Sequence, residues 1–507
     1  MSNVGKRKNL LDLLQTDNSE TGGGDPSVDI ILKALDNDFA KSRESWNIKK
    51  MLNALNEALY VALKAEKNDQ VTIVCDQTIK LLNTEPERFI EALGKPIEAG
   101  AFRGENSVYF WMDQLYSAVL VAQEEAPIVN ILVVLRNIFK KAPEEFCRFL
   151  MSPVSENNAE VSNGLLLFTR ILAHISQLAY KYPSRFLIAD FFNECVMSSP
   201  HVIGLGLFGE MAGGSFKGKS PLYMVVDALK KAAVDDPFLV NLICDIIIDL
   251  KQKHHEPLLK TLGKISESGP YEGKCSLHTI LTTLISSAYI KNKPEIADKL
   301  INMLQVLWER NTERMGALLT KPIETGEAVG QNGVLMLVRA LTAMLDNQMD
   351  PALLVPFLDH LFSVHPDGLA QALIQKAPDT RRAYNNVSAL QQLLYFMPHQ
   401  TWVRALVENL ASSSAASQLI GSLSEPQRTL FLEVFSAKHN LSQKEMALLL
   451  KLLPDEPVTG AAGEHDLNVG DLISRIRAGA YPNSFFSAAV PDEPPIEKQH
   501  VTHLTNK

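Results

Sequence analysis

Residues 87–98 read Glu87-Arg88-Phe89-Ile90-Glu91-Ala92-Leu93-Gly94-Lys95-Pro96-Ile97-Glu98, and 226 residues later the chain reads Glu313-Arg314-Met315-Gly316-Ala317-Leu318-Leu319-Thr320-Lys321-Pro322-Ile323-Glu324. The match continues without a gap, because Gly100, Gly104, Asn106, Val108 and Leu115 fall on Gly326, Gly330, Asn332, Val334 and Leu341. Self-similarity at a fixed period is the mark of a repeat architecture, so the segments between the two copies are compared with them first.

Intermediate copies stand there at nearly even spacing. Glu144, Phe146, Leu150, Pro153, Val154, Asn163, Leu165 and Leu172 match the first copy at an offset of 57 residues. Leu207, Gly214, Gly218, Leu222 and Leu229 match it at 114, and Leu262, Lys264, Glu267, Gly269, Gly273, Leu277 and Leu284 at 169. Met51 and Leu55 carry the pattern toward the N-terminus, while Leu369, Leu373 and Asn386 mark a decayed copy beyond the last strong one. The array runs from about Trp46 to beyond His399.

Inside each copy the apolar period is helical. In the second, Val108, Met112, Leu115, Val119 and Ala122 keep one face of a first helix; Pro127 opens a second with Ile131, Leu132, Leu135 and Ile138; Pro143-Glu144-Glu145 begins a short third. Proline in a first turn gives up a donor that has no intrahelical partner, and Pro127, Pro183, Pro237, Pro294 and Pro351 recur at this junction. The Lys-Pro-Ile-Glu-x-Gly segment then supplies a stop and a left-handed turn before the next helix begins near Asn106 or Asn332.

Three helices of this length cannot close a core alone, so neighbours must share one. The expectation is an all-α fold, a superhelical solenoid of degenerate three-helix repeats of about 57 residues. In architecture this resembles the HEAT and armadillo proteins, whose units also stack two or three helices. The period is longer and their signatures are missing, so the resemblance implies a fold and carries no binding residue.

The ends differ in composition. Residues 1–28, with Thr21-Gly22-Gly23-Gly24-Asp25-Pro26, read as a flexible leader, 29–410 as the array, 411–453 as capping helices and 454–507 as a mostly flexible tail. Ser442 with Glu445 three residues on is a capping-box pattern within the third of these.

A chain of 507 residues, 46% hydrophobic and 21% charged, can bury a large core. Its formal charge of -9 argues against a nucleic-acid partner, which needs clustered Lys and Arg. Cys75, Cys147, Cys195, Cys244 and Cys275 show no metal or redox spacing and read as buried free thiols of a reducing compartment. Apolar runs such as Ile131 to Leu135 fall far short of the roughly 18 to 20 residues that span a bilayer. The leader's Leu10-Leu11-Asp12-Leu13-Leu14 is too short for a signal peptide. These points lead to a cytoplasmic protein without integral membrane insertion.

One segment matches a catalytic motif in full. Gly213-Gly214-Ser215-Phe216-Lys217-Gly218-Lys219-Ser220 fits the phosphate-binding pattern GxxxxGK[ST], in which backbone amides and the Lys hold phosphates and the Ser hydroxyl helps hold magnesium. The motif requires a strand before the loop, and Gly204-Leu205-Gly206-Leu207-Phe208-Gly209 is poor strand material. Gly214 and Gly218 also fall on Gly100 and Gly104 of the repeat, which gives the loop a structural reason to exist. Gly204, Gly206 and Gly209 spell GxGxxG with the same missing strand, and Ile246-Ile247-Ile248-Asp249 has the form of a metal-holding acidic strand end.

The recurrent Lys95, Lys264 and Lys321 with Glu98, Glu267 and Glu324 suit the dipoles of the helices around them. His254-His255 has no third ligand at a convincing spacing, so no metal site is expected. Neither a G-x-S-x-G elbow nor an H-E-x-x-H helix occurs, and no catalytic residue is assigned. In the leader, Leu10, Leu11, Leu13 and Leu14 behind Lys6-Arg7-Lys8 are candidates for docking on a partner or on an anionic membrane surface.

The sequence therefore leads to a non-catalytic scaffold or adaptor that binds one or more proteins, without a cofactor. The rivals are a nucleotide-binding protein using Gly213, Gly218, Lys219 and Ser220, a peripheral membrane adaptor, and an effector injected into a host cytosol by a bacterial secretion system.

Overall fold

The computed structural model describes residues 28–98, 102–121, 124–153, 163–177, 183–210, 218–266, 272–290, 293–309, 311–326, 328–364, 366–377, 385–398, 400–411 and 416–445. The chain divides into two compact units, Met1–Leu406 and Val407–Lys507. The fold is all-α: among the described residues there is no strand, only one isolated bridge between Ile265 and Cys275.

In the first unit α1 (Val28–Phe39) precedes helices that come long, long, short. They are α2 (Ile48–Lys64), α3 (Asn68–Thr84) and α4 (Pro86–Leu93), then α5 (Ser107–Val121), α6 (Ala126–Lys141) and α7 (Pro143–Met151). Next are α8 (Gly164–Ile175), α9 (Ser184–Ser198) and α10 (Pro200–Phe208), then α11 (Pro221–Ala232), α12 (Pro237–Lys253) and α13 (His255–Leu262). The series continues with α14 (Ser276–Ser287), α15 (Pro294–Trp308) and α16 (Thr312–Thr320), and with α17 (Gly333–Asp346), α18 (Leu354–Val364) and α19 (Pro366–Ile374). After α20 (Ala389–Phe396) comes α21 (Thr401–Ala411), in which the division between the units falls.

Most groups start with a side-chain cap. Asn47, Asn106, Asn163 and Asn332 cap α2, α5, α8 and α17 by accepting from the backbone N–H three residues on. Ser388 does the same for α20. At α14 the cap is Cys275, whose own N–H donates to His278 Nδ1 at 3.3 Å. Two residues before several of these caps the backbone turns left-handed, at Gly104, Gly218, Gly273 and Gly330, with Asn386 in the same place before Ser388. Glycine takes this conformation without a steric cost, and Asn is the side chain that tolerates it next best.

The preceding turn is closed by a pair of backbone bonds. Ile97 N–H donates to Glu105 O at 2.8 Å and Gly104 N–H to Ile97 O at 2.9 Å. The same pair recurs between Ile323 and Gln331 with Gly330, and between Ser266 and Lys274 with Gly273.

Packing follows rank. The first helices touch in series, α2 to α5, α5 to α8, and onward through α11, α14 and α17 to α20; the second helices do so from α3 through α6, α9 and α12 to α15. First helices are the most covered layer, every residue from Gly333 to Met344 of α17 being buried. Burying each Leu, Val or Ile of such a helix contributes on the order of 1.5–3 kcal/mol.

A set of long-range side-chain bonds recurs at the same spacing. Trp111 Nε1 donates to Asn56 Oδ1 at 3.0 Å, Asn130 to Thr72 at 2.8 Å, Arg136 to Asp190 at 2.9 Å and Lys299 to Asp245 at 2.6 Å, over 54 to 58 residues of chain in each case. Arg314 pairs with Glu256 in the same manner.

The second unit, described through Glu445, holds α22 (Ala416–Gly421) and α23 (Glu425–His439), with Phe431, Leu432, Val434 and Phe435 buried. Ser442 and Glu445 form the expected capping box, with Ser442 N–H donating to Glu445 Oε2 at 2.7 Å and Glu445 N–H donating to Ser442 Oγ at 3.3 Å. Residues 1–27 of the leader, 446–453 of the expected capping helices and the tail 454–507 lie outside the described residues.

Candidate functional site

The phosphate-motif loop can be followed only from Gly218, since Gly213 to Lys217 lie outside the described residues. The element before it is a helix, α10, so the strand that a phosphate-binding loop requires is replaced. Gly218 has φ 77° in the register of Gly104, Gly273 and Gly330, and Ser220 stands at the cap position held elsewhere by Asn106 and Asn332. Pro221 follows it and removes the first amide donor of α11. Lys219 is only 8% exposed, and its Nζ sits 4.9 Å above the Tyr223 ring. Burial pushes its ammonium below the ordinary lysine range, with Asp227 opposing.

The other glycine-rich pattern has a packing explanation. Gly204 and Gly206 lie inside α10, where a Cβ would meet His254 and Met151. Gly209 is the C-cap. The apolar run ending in Asp249 belongs to α12, so it is no strand end.

The lysine and glutamate recurrence also differs in detail from the expectation. Lys95 and Lys264 lie one residue beyond the C-caps Gly94 and Gly263, and Lys321 is itself a C-cap. Glu98 pairs with Lys49 of α2 at 2.7 Å. Lys264 reaches Glu210 at 2.6 Å.

Adjacent histidines take separate structural jobs: His254 Nε2 is 2.9 Å from Pro200 O, and His255 bonds to Asn311. Among the described residues no group of three or more His, Cys, Asp or Glu could hold a metal ion. All five cysteines are buried and free.

A polar row is legible only once the period is known. Asn56, Asp113, Arg170, Asp227, Thr282 and Arg339 occupy one register on α2, α5, α8, α11, α14 and α17. Arg170 donates to Tyr116 Oη at 3.1 Å, and Lys231 pairs with Asp227 at 2.8 Å. Burial raises the Asp113 carboxyl to about 6, with Arg170 opposing. The row alternates in sign from Asp113 to Asp227, which lets half-buried charges face opposite neighbours.

Exposed apolar side chains gather elsewhere, at the junctions between first and second helices. Leu120 and Val121 end α5, Phe186 and Leu187 start α9, and Val234 and Phe238 flank the junction of α11 and α12. Phe186 and Phe238 meet edge to face at 4.8 Å, with the Arg185 guanidinium 4.6 Å over Phe186. A cavity of about 370 Å³ opens at the same junction of the first two groups, lined among others by Tyr60, Leu63, Ala118, Val121 and Pro127. Sequence reasoning could not single these out, because a lone exposed Phe or Val at a helix end carries no period of its own.

The leader candidates Leu10, Leu11, Leu13 and Leu14 lie outside the described residues. No helix among the described residues is long and apolar enough to cross a membrane. No protein-family model, no curated protein and no solved structure matches the chain.

Proposed function

We propose that the protein is a non-catalytic scaffold that binds other proteins, built as a solenoid of stacked three-helix units of about 57 residues with the general architecture of HEAT and armadillo arrays. The observation that carries the reading is a recurrent set of side-chain bonds spanning 54 to 58 residues: Trp111 to Asn56, Arg136 to Asp190 and Lys299 to Asp245 each join one group to the next. An array held by nearest neighbours grows in length and offers extended surface, which is what a binding scaffold needs. The apolar side chains left exposed at successive helix junctions support it, because contiguous exposed apolar surface commonly marks interaction sites.

Affinity capture from the source cell, comparing the parent with Val121→Glu and Phe238→Glu, tests the reading. A protein retained by the parent and lost from the variants supports it. A calorimetric titration with ATP or GTP and magnesium that shows binding abolished by Lys219→Ala would replace it with the nucleotide reading.

A further inference from the structure

A cavity of about 370 Å³ opens between the first two groups, with Tyr60 and Leu63 from the end of α2 and Ala118 and Val121 from the end of α5 on its walls. Val121 is 67% exposed, so the apolar lining runs out onto open surface. Glu66 and Glu124 bring two carboxylates to the same lining against one ammonium, that of Lys64, whose Nζ lies 5.7 Å over the Tyr60 ring. From the first turn of α3, Asn68 Nδ2 donates to Glu124 Oε2 at 2.5 Å and holds that carboxylate at the cavity.

The leader joins the array beside this cavity. α1 begins at Val28, and Asp29 Oδ1 accepts from Gln70 Nε2 at 2.9 Å; Gln70 stands in the same first turn of α3 as Asn68. Leu14 is separated from Val28 by residues 15–27, a stretch that reaches up to about 45 Å when extended. Ahead of that stretch come Lys6-Arg7-Lys8 and then Leu10-Leu11-Asp12-Leu13-Leu14. Three cations followed by four leucines match a lining that is apolar and carries an excess of carboxylates.

We propose that the leader is the occupant of this cavity: leucines of the 10–14 segment pack against Leu63, Ala118 and Val121, while Lys6, Arg7 and Lys8 lie toward Glu66 and Glu124. The place where the leader is joined and the sign of its charge select it over an outside protein. Attachment within one chain also replaces a bimolecular encounter with a local concentration in the millimolar range, so shallow docking suffices. The chain thereby covers one of its own apolar junctions, and a protein that binds there must first displace residues 6–14. The contact is internal to the chain and does not depend on the array's being a scaffold.

Hydrogen exchange on the full chain, with no partner or lipid present, tests the contact by comparing the parent with a Leu10→Asp, Leu14→Asp double variant, which leaves every residue of the array in place. The amides of residues 9–15 and of the last turns of α2 and α5 should exchange about tenfold faster in the variant. Val121→Glu changes an exposed side chain and should release residues 9–15 to the same degree. Protection in the parent should be unchanged on dilution, as a contact within one chain requires. Equal exchange at either place in parent and double variant, or protection of residues 9–15 that survives Val121→Glu, overturns the proposal. So does protection lost on dilution, which assigns the leader to a second copy, or protection that appears only on adding phosphatidylserine vesicles, which assigns it to a membrane surface.

Discussion

The Asn106 side chain joins the start of α5 to the end of α7, its Nδ2 donating to Phe149 O at 3.0 Å while its Oδ1 accepts from Tyr109 N at 2.8 Å. Asn332 repeats both bonds 226 residues later, donating to Ala372 O at 3.0 Å and accepting from Leu335 N at 2.8 Å. One residue type thus caps a first helix and fastens it to the third helix of its group, and only Asn offers an acceptor and a donor at that reach. Asn332→Ala should lower stability by about 1–3 kcal/mol, and Asn332→Asp, which keeps the cap but sets a buried carboxylate oxygen against the Ala372 carbonyl, should cost at least as much. Urea unfolding of the two variants beside the parent measures the difference.

The left-handed glycines separate backbone strain from packing. Gly218 has φ 77° with open space around it, so Gly218→Ala should cost about 1–2 kcal/mol, the price of the conformation alone. Gly273 has φ 76°, and a Cβ there would run into the Thr325 carbonyl. Gly273→Ala should therefore lose about 1–3 kcal/mol more than Gly218→Ala. Thermal unfolding of both, with the same order expected for Gly326→Ala against Gly218→Ala, checks the point.

The all-α fold and several helix boundaries were legible in the sequence, because helical apolar spacing and the boundary residues are local signals. Pro143, Pro237 and Pro294 begin helices, Asn106 and Asn332 cap them, and Asn386 takes the left-handed place of Gly330 in a copy that has otherwise decayed. Cys275 was read only as a buried thiol, because nothing in Cys275-Ser276-Leu277-His278 announces that the pair replaces the Asn cap.

A half-buried and a buried group should oppose one another across mildly acid pH. Asp113 is raised by burial to about 6, above its unfolded value of roughly 3.9, so folding holds its proton and stability falls as pH climbs from about 4 to 6. His278 is lowered to about 4 by burial, with Lys274 and Lys321 adding to it; its unfolded value is roughly 6.5, so stability is lost as pH falls from about 6.5 to 4. In the parent these slopes offset each other. Asp113→Asn should therefore gain stability with rising pH across this window more steeply than the parent, and His278→Gln should lose it, by about 1–3 kcal/mol in each case. Urea midpoints at pH 4.5 and 7 decide the signs.

Lys219 should matter to folding and not to nucleotide. Its Nζ lies over Tyr223 in a covered position, so Lys219→Ala should lower stability by about 0.5–2 kcal/mol through lost packing and cation–π contact. Calorimetry with magnesium ATP or GTP should give no binding heat with the parent. Saturable heat that the variant lacks would contradict the scaffold reading.

The central claim is that the groups support one another only through their neighbours, and hydrogen exchange on the full chain carrying Asn332→Ala tests it most directly. The account predicts lost protection in α17 to α19 and in the adjoining α14 to α16 and α20, with α2 to α4 unchanged. Equal loss of protection from α2 to α20 would show one cooperative globule and contradict it.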